Sequence, residues 1–208
     1  KGPFEARPIQ PTGGMEQPWR YRNKSQIPVG KDKKNKAITG FYRQRSHDII
    51  DMDSCLIQDE QHQKIMNHVK QWLNELNISI YNEKNQSGLM RHLVVRTGYH
   101  TDEMMVIFVT NGKKFKNADV LVQKLISAYP NVTSIKQNIN DTHSNVIMGR
   151  QSVTLYGKDK IVDQLSEVTF NISDQSFYQI NSAQTEKLYQ QAIDYAQLTG
   201  EEIVLDTY

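Results

Sequence analysis

Two β-rich runs, Leu89 to Arg96 and Glu103 to Thr110, flank the short polar stretch Thr97 to Asp102, and no other feature limits the fold so strongly. Val94, Val95, Val106, Ile107, Phe108 and Val109 are residue types that fit a pleated, buried surface, so the pair reads as a β-hairpin. The next segments set the class. Asn117 to Tyr129 has the pattern of a short helix stopped by Pro130, and Val132 to Ile139 reads as the strand after it. The order strand, strand, helix, strand predicts an α+β layer built on an antiparallel sheet rather than a doubly wound one.

On the N-terminal side, Asp59 to Asn77 reads as the best helix, capped by Asp59, with Ile65, Met66, Val69, Trp72, Leu73 and Leu76 on one face. Before it, Trp19 to Val29, the polar turn Lys31 to Lys36 and the return Ala37 to Arg43 predict a hairpin with a basic tip. Residues 1–18 carry Pro3, Pro8, Pro11, Pro18 and Gly13-Gly14, and read as a lead-in. On the C-terminal side, short strands are expected at Ser152 to Tyr156 and Val168 to Ile172. Asn181 should cap a helix from Ser182 to about Leu198, with Gln184 reaching back as a capping box. Its apolar stripe is Leu188, Tyr189, Ala192, Ile193 and Ala196, and Thr199-Gly200 should stop it. Ile203-Val204-Leu205 then reads as the opening of a buried strand ending in Asp206, the first unit of a Rossmann-like sheet. The expected division is a lead-in over 1–18, a central α+β domain over 19–175, and over 176–208 the first helix and strand of a truncated third part. On this reading the chain is a fragment.

Charge is uneven. Between Arg20 and Arg45 nine basic residues face Asp32 alone, a local charge of +8 within a net charge of +2, so the rest of the chain carries −6. The basic residues are interleaved with Trp19, Tyr21, Phe41 and Tyr42, a mixture that suits single-stranded nucleic acid, where cations meet phosphates and aromatic faces receive bases. A solvated turn that only keeps an edge strand soluble would look the same. The composition, 38% hydrophobic and 23% charged, excludes a collagen-like, coiled-coil or wholly disordered chain. No apolar run approaches the roughly 18 residues of a membrane span, and Lys1-Gly2-Pro3-Phe4 lacks the apolar core of a signal peptide, so a cytoplasmic address and no membrane partner are expected. The lone Cys55 can form neither an internal disulfide nor, by itself, a metal site. His47, His92 and His143 have no second ligand at an evident metal spacing. Arg91 and Arg96, on a strand, either face RNA or are simply exposed.

Several segments in order along residues 18–208 resemble the RNA (uracil-5-)-methyltransferase family. They are Pro18-Trp19-Arg20-Tyr21-Arg22-Asn23-Lys24, Gly40-Phe41-Tyr42 leading to Ser46-His47, and Asp51 to Gln58 around Cys55. Further on come Arg91-His92-Leu93, Gln137-Asn138-Ile139-Asn140, Asn145-Val146-Ile147-Met148-Gly149 and Leu155-Tyr156-Gly157. The most specific are Ser176-Phe177-Tyr178-Gln179-Ile180-Asn181, Gln184-Thr185-Glu186-Lys187-Leu188-Tyr189 and the closing Val204-Leu205-Asp206-Thr207-Tyr208.

The resemblance implies a parent enzyme with an oligonucleotide-binding barrel, a central α+β domain and a Rossmann-like domain binding S-adenosylmethionine. Its substrate would be uridine in RNA, ribosomal RNA preferred over transfer RNA, with no DNA expected. A stand-alone RNA-binding module is the alternative. In the family reaction a thiolate adds at uracil C6, C5 then attacks the methyl donor, and a base removes the C5 proton. The nucleophilic cysteine and the base match nothing in these 208 residues, so the chain alone is expected to be inactive. Gln179 and Tyr208 match cofactor-contacting positions, and Phe177 an aromatic near the target base. For Phe177 and Tyr178, packing on the domain core is the other reading. Arg20, Arg22 and Lys24 are the expected RNA contacts. Cys55 matches the last of four cysteines that hold a 4Fe-4S cluster in many members, the alternative being an inert free thiol.

Overall fold

A computed structural model describes residues 11–205 and 207. Its centre is a seven-stranded sheet in the order β3-β2-β1-β4-β5-β6-β7, formed by β1 (Lys24–Lys31), β2 (Ala37–Tyr42), β3 (Ile49–Asp51), β4 (Met90–Thr97), β5 (Met104–Thr110), β6 (Val132–Ile139) and β7 (Gln151–Gly157). Helices α1 (Glu60–Glu75) and α2 (Ala118–Ala128) cover one face, and a hairpin of β8 (Ile161–Leu165) and β9 (Val168–Ile172) lies on the other.

The middle of the sheet follows from its apolar runs. Val95, Val106 and Phe108 point toward the helices, Val94, Met105, Ile107 and Val109 toward the hairpin, and all are essentially inaccessible. Burial on both faces explains why these runs do not alternate. β4 and β5 pair antiparallel as expected, but β5 and β6 pair in parallel, with α2 as the crossover. The sheet is therefore mixed. On α1, Ile65, Met66, Val69 and Leu73 are fully buried, each contributing about 1.5–3 kcal/mol of transfer free energy. The Asp59 carboxylate accepts from the Gln61 and His62 amides and fixes the helix start.

Against the hairpin side, Ile161, Ile172, Phe170 and Tyr178 close a second core. The connection into β7 needs Gly149, since a Cβ there would lie 1.7 Å from the Ile139 carbonyl oxygen. Asn138 clamps Gly149 by its N–H and its carbonyl.

Helix α3 (Ser182–Ala196) starts at Asn181, whose side chain accepts from the Gln184 amide. Gln184 donates its side chain to the Gly13 carbonyl rather than back to the cap, so half of the expected capping box forms. Only Ser182 and Thr185 of this helix are buried. The stripe of Leu188, Tyr189 and Ile193 is exposed, and Ile203, Val204 and Leu205 lie outside any strand and are solvent-facing. The strand expected there does not form, because none of the described strands pairs with it. Asp206 and Tyr208 lie outside the described residues. Among the described residues no helix is long and apolar enough to cross a membrane.

Candidate nucleic-acid interface

The basic hairpin has the predicted form: β1 and β2 pair antiparallel, and Lys31 to Lys36 form a fully exposed tip. In the sheet order β4 flanks β1 and β3 flanks β2, but β4 pairs only with residues 24–28 and β3 only with residues 40–42, so beside the tip the hairpin is two-stranded. Beside the tip lies a groove of about 730 Å³, lined among others by Lys31, Arg43, Lys84, Tyr42, Tyr81 and His92. This is within the range of ligand clefts. Three of its four acids are already engaged: Asp32 accepts from turn amides, Asp51 pairs with Lys70 and Glu83 with His47, while Asp48 has no side-chain partner among the described residues. The Glu83 carboxylate raises the pKa of the exposed His47. Lys31, Arg43 and Lys84 have no carboxylate partner among the described residues.

The second cluster centres on residues 173–182. Arg96 is 5% exposed, and its guanidinium donates to the Ser173 carbonyl at 2.6 Å and to the Ser176 carbonyl. Tyr178 donates its hydroxyl to Asp163 at 2.9 Å, and its ring lies 5.5 Å from that of Phe170. Burial, then Asp163, raises the phenol pKa. Asn23 donates its backbone N–H to the Ile180 carbonyl and its side chain to the Gln179 carbonyl at 2.8 Å and the Ser182 hydroxyl at 2.9 Å. The loop is thus held before and after Phe177, which stands 87% exposed. The two readings of the neighbouring aromatics separate here: Tyr178 packs on the core and Phe177 does not.

Arg91 and Arg96 are both buried, which corrects the expectation of strand arginines facing RNA or solvent. Arg91 donates to the Asn140 and Thr142 carbonyls and stacks over the Tyr81 ring. Both act as staples between distant backbone segments. Arg20 likewise donates to the Cys55 and Gln58 carbonyls at 2.5 and 3.2 Å, tying the start of the domain to the Cys55 loop. Arg22 and Lys24 are half-buried beside Arg96, and burial, then Arg96 and Arg22, lowers the Lys24 pKa. Gln179 is held by its backbone, while its carboxamide has no partner among the described residues.

Cys55 is half-buried and free, and the described residues contain no grouping of three His, Cys, Asp or Glu side chains. A single thiolate does not hold a 4Fe-4S cluster, so the residues present do not by themselves fit that group. Asn23, missed in the sequence, is the residue that orients the loop. Asn23→Ala should destabilise the chain by about 1–3 kcal/mol, because it leaves the Gln179 carbonyl unpaired. Urea unfolding would measure it, and hydrogen exchange at residues 178–182 should rise.

No family model matches the chain. Relatives named uncharacterized RNA methyltransferases match all of it, at 77% identity in Staphylococcus epidermidis and 72% in Staphylococcus aureus strain COL. The chain spans 46% of the length of each. Among solved structures, the Pyrococcus abyssi tRNA (uracil-54, C5)-methyltransferase in complex with S-adenosyl-L-homocysteine superposes with a TM-score of 0.70 at 26% identity, covering 86% of this chain and 42% of that one. The chain is therefore similar along its whole length to part of proteins named RNA methyltransferases, and over most of its length to part of the fold of a tRNA (uracil-54, C5)-methyltransferase.

Proposed function

We propose that the chain is the RNA-facing part of an enzyme that transfers a methyl group from S-adenosylmethionine to C5 of a uridine in RNA. The observation that carries this reading is Phe177, exposed at the tip of a loop pinned on both sides. A rigid, exposed aromatic is what an unstacked base needs as a platform. Residues 19–175 then form the RNA-binding domain, with Arg20, Arg22 and Lys24 near the strand. Residues 176–208 begin the cofactor domain, with the Gln179 carboxamide and Tyr208 toward the cofactor, which supplies the methyl group. The exposed stripe of α3 and Ile203 to Leu205 would pack within that domain. A cytoplasmic address fits these roles.

Ribosomal RNA is the preferred substrate because Cys55 resembles the last ligand of a 4Fe-4S cluster, whose other thiolates this chain does not contain. Transfer RNA is the second reading, favoured by the similarity to a tRNA uracil-C5 enzyme. The test is methyl transfer from labelled S-adenosylmethionine by the full-length protein to unmodified ribosomal and transfer RNA. 5-Methyluridine should form, and Phe177→Ala should lower the rate about tenfold or more, the worth of one base stack. The 208-residue chain alone should transfer nothing. Methylation at another atom, or none on either RNA, would sink the proposal.

A further inference from the structure

Lys24 of β1 and Arg96 of β4 are directly paired in the strand register. Their inward neighbours Ser25 and Val95 face α1, so Lys24 and Arg96 share the opposite face, and Arg22 is near enough to Lys24 to help lower its pKa. Like charges placed directly across a sheet repel. Arg96 has a structural task, holding the Ser173 and Ser176 carbonyls, but Lys24 has none: neither it nor Arg22 has a carboxylate partner among the described residues. Asp174, whose negative charge acts on Arg96, is already shared by Lys136 and Ser152. The result is a group of three cations, Arg96 buried and Arg22 and Lys24 half-buried, none of which forms an ion pair with a described side chain.

We propose that Arg22, Lys24 and Arg96 form a phosphate site that takes the RNA backbone phosphate of the nucleotide whose base lies on Phe177. The link to that nucleotide is direct, since Arg96 binds the carbonyl of Ser176, the residue before Phe177. Lys24 and Arg22 make the contacts. Arg96 is buried and contributes its field through a low-dielectric wall, where charge is poorly screened. This inference rests on the RNA reading above.

Lys24→Gln separates a phosphate ligand from a structural role because the two predict opposite signs. Removing the repulsion should raise the Tm of the free chain by about 1–3 °C. Removing a phosphate contact should lower affinity for a uridine-rich single-stranded oligonucleotide about fivefold at 0.1 M salt and reduce its log–log salt slope by about 0.7. Lys24→Arg should keep the affinity. Millimolar inorganic phosphate, at matched ionic strength, should raise the Tm of the wild type more than that of Lys24→Gln. A lower Tm for Lys24→Gln, an unchanged salt slope, or an equal response to phosphate would each overturn the proposal. None of these measurements involves methyl transfer. An enzyme that fails to methylate uridine therefore leaves this site standing, and a Lys24→Gln variant with normal affinity leaves the methyltransferase reading standing.

Discussion

Replacing Lys136 by methionine is expected to destabilise the chain by about 3–5 kcal/mol, because it strands a buried carboxylate. The Lys136 and Asp174 side chains are each only 5% exposed and meet at 2.8 Å, while the other oxygen of Asp174 accepts from Ser152. Lys136 also reaches the exposed Asp159 at 2.8 Å. Burial works against the ammonium, but the hydrogen bonds it donates to Asp159 and Asp174 outweigh it and raise its pKa. Deleting the lysine leaves Asp174 charged, desolvated and held by one hydroxyl. The double variant Lys136→Met with Asp174→Leu removes both charges and should recover much of the loss. Urea unfolding of the three proteins measures this cycle. A single variant within about 1 kcal/mol of wild type would mean that water reaches Asp174. The functional consequence is local: Asp174 sits between the Ser173 and Ser176 carbonyls that Arg96 holds, so the single variant should also loosen the platform under Phe177.

That pair illustrates where sequence reading reached its limit. Helix α1 and strands β4 and β5 were legible because their apolar residues repeat at the helical period or run without interruption, and Asp59 and Asn181 were legible caps because their chemistry is local. Strand β8 was missed: Asp163 and Gln164 interrupt its apolar residues, yet Asp163 is fully buried. That carboxylate is satisfied by the His100 amide and the Tyr178 hydroxyl, partners far away in sequence. β3, three residues long, carries too little pattern to detect. Arg91 and Arg96 were misjudged for the same reason as Asp163, since the carbonyls that satisfy them lie 49 to 80 residues away. At the candidate site, Phe177 and Gln179 stood out only through their resemblance to family positions, because an exposed aromatic leaves no periodic trace. Asn23, Lys24 and Arg96 become a unit only once register places β1 beside β4. Tyr208, the second expected cofactor contact, lies outside the described residues.

The same strand pair makes the chain acid-sensitive above the range where carboxylates titrate. His62 is fully buried between Ser25 of β1 and Thr97 of β4, with Nδ1 2.9 Å from the serine hydroxyl and Nε2 2.6 Å from the threonine hydroxyl. Burial pushes its pKa down to about 4, and the Asp59 carboxylate offsets only part of this. His92, whose Nδ1 has no partner, is also lowered to about 4, by burial and then by Arg91. In the unfolded chain both rings take up a proton near pH 6.5. The stability from keeping them neutral is therefore fully present above pH 6.5 and is lost as pH falls toward 4, where the folded state must also protonate. Each ring accounts for about 3 kcal/mol over that window. His62→Gln cannot titrate, so although it is less stable at pH 7, its unfolding free energy should fall about half as much as the wild type's between pH 7 and pH 4. Parallel curves in urea melts across that range would refute the assignment.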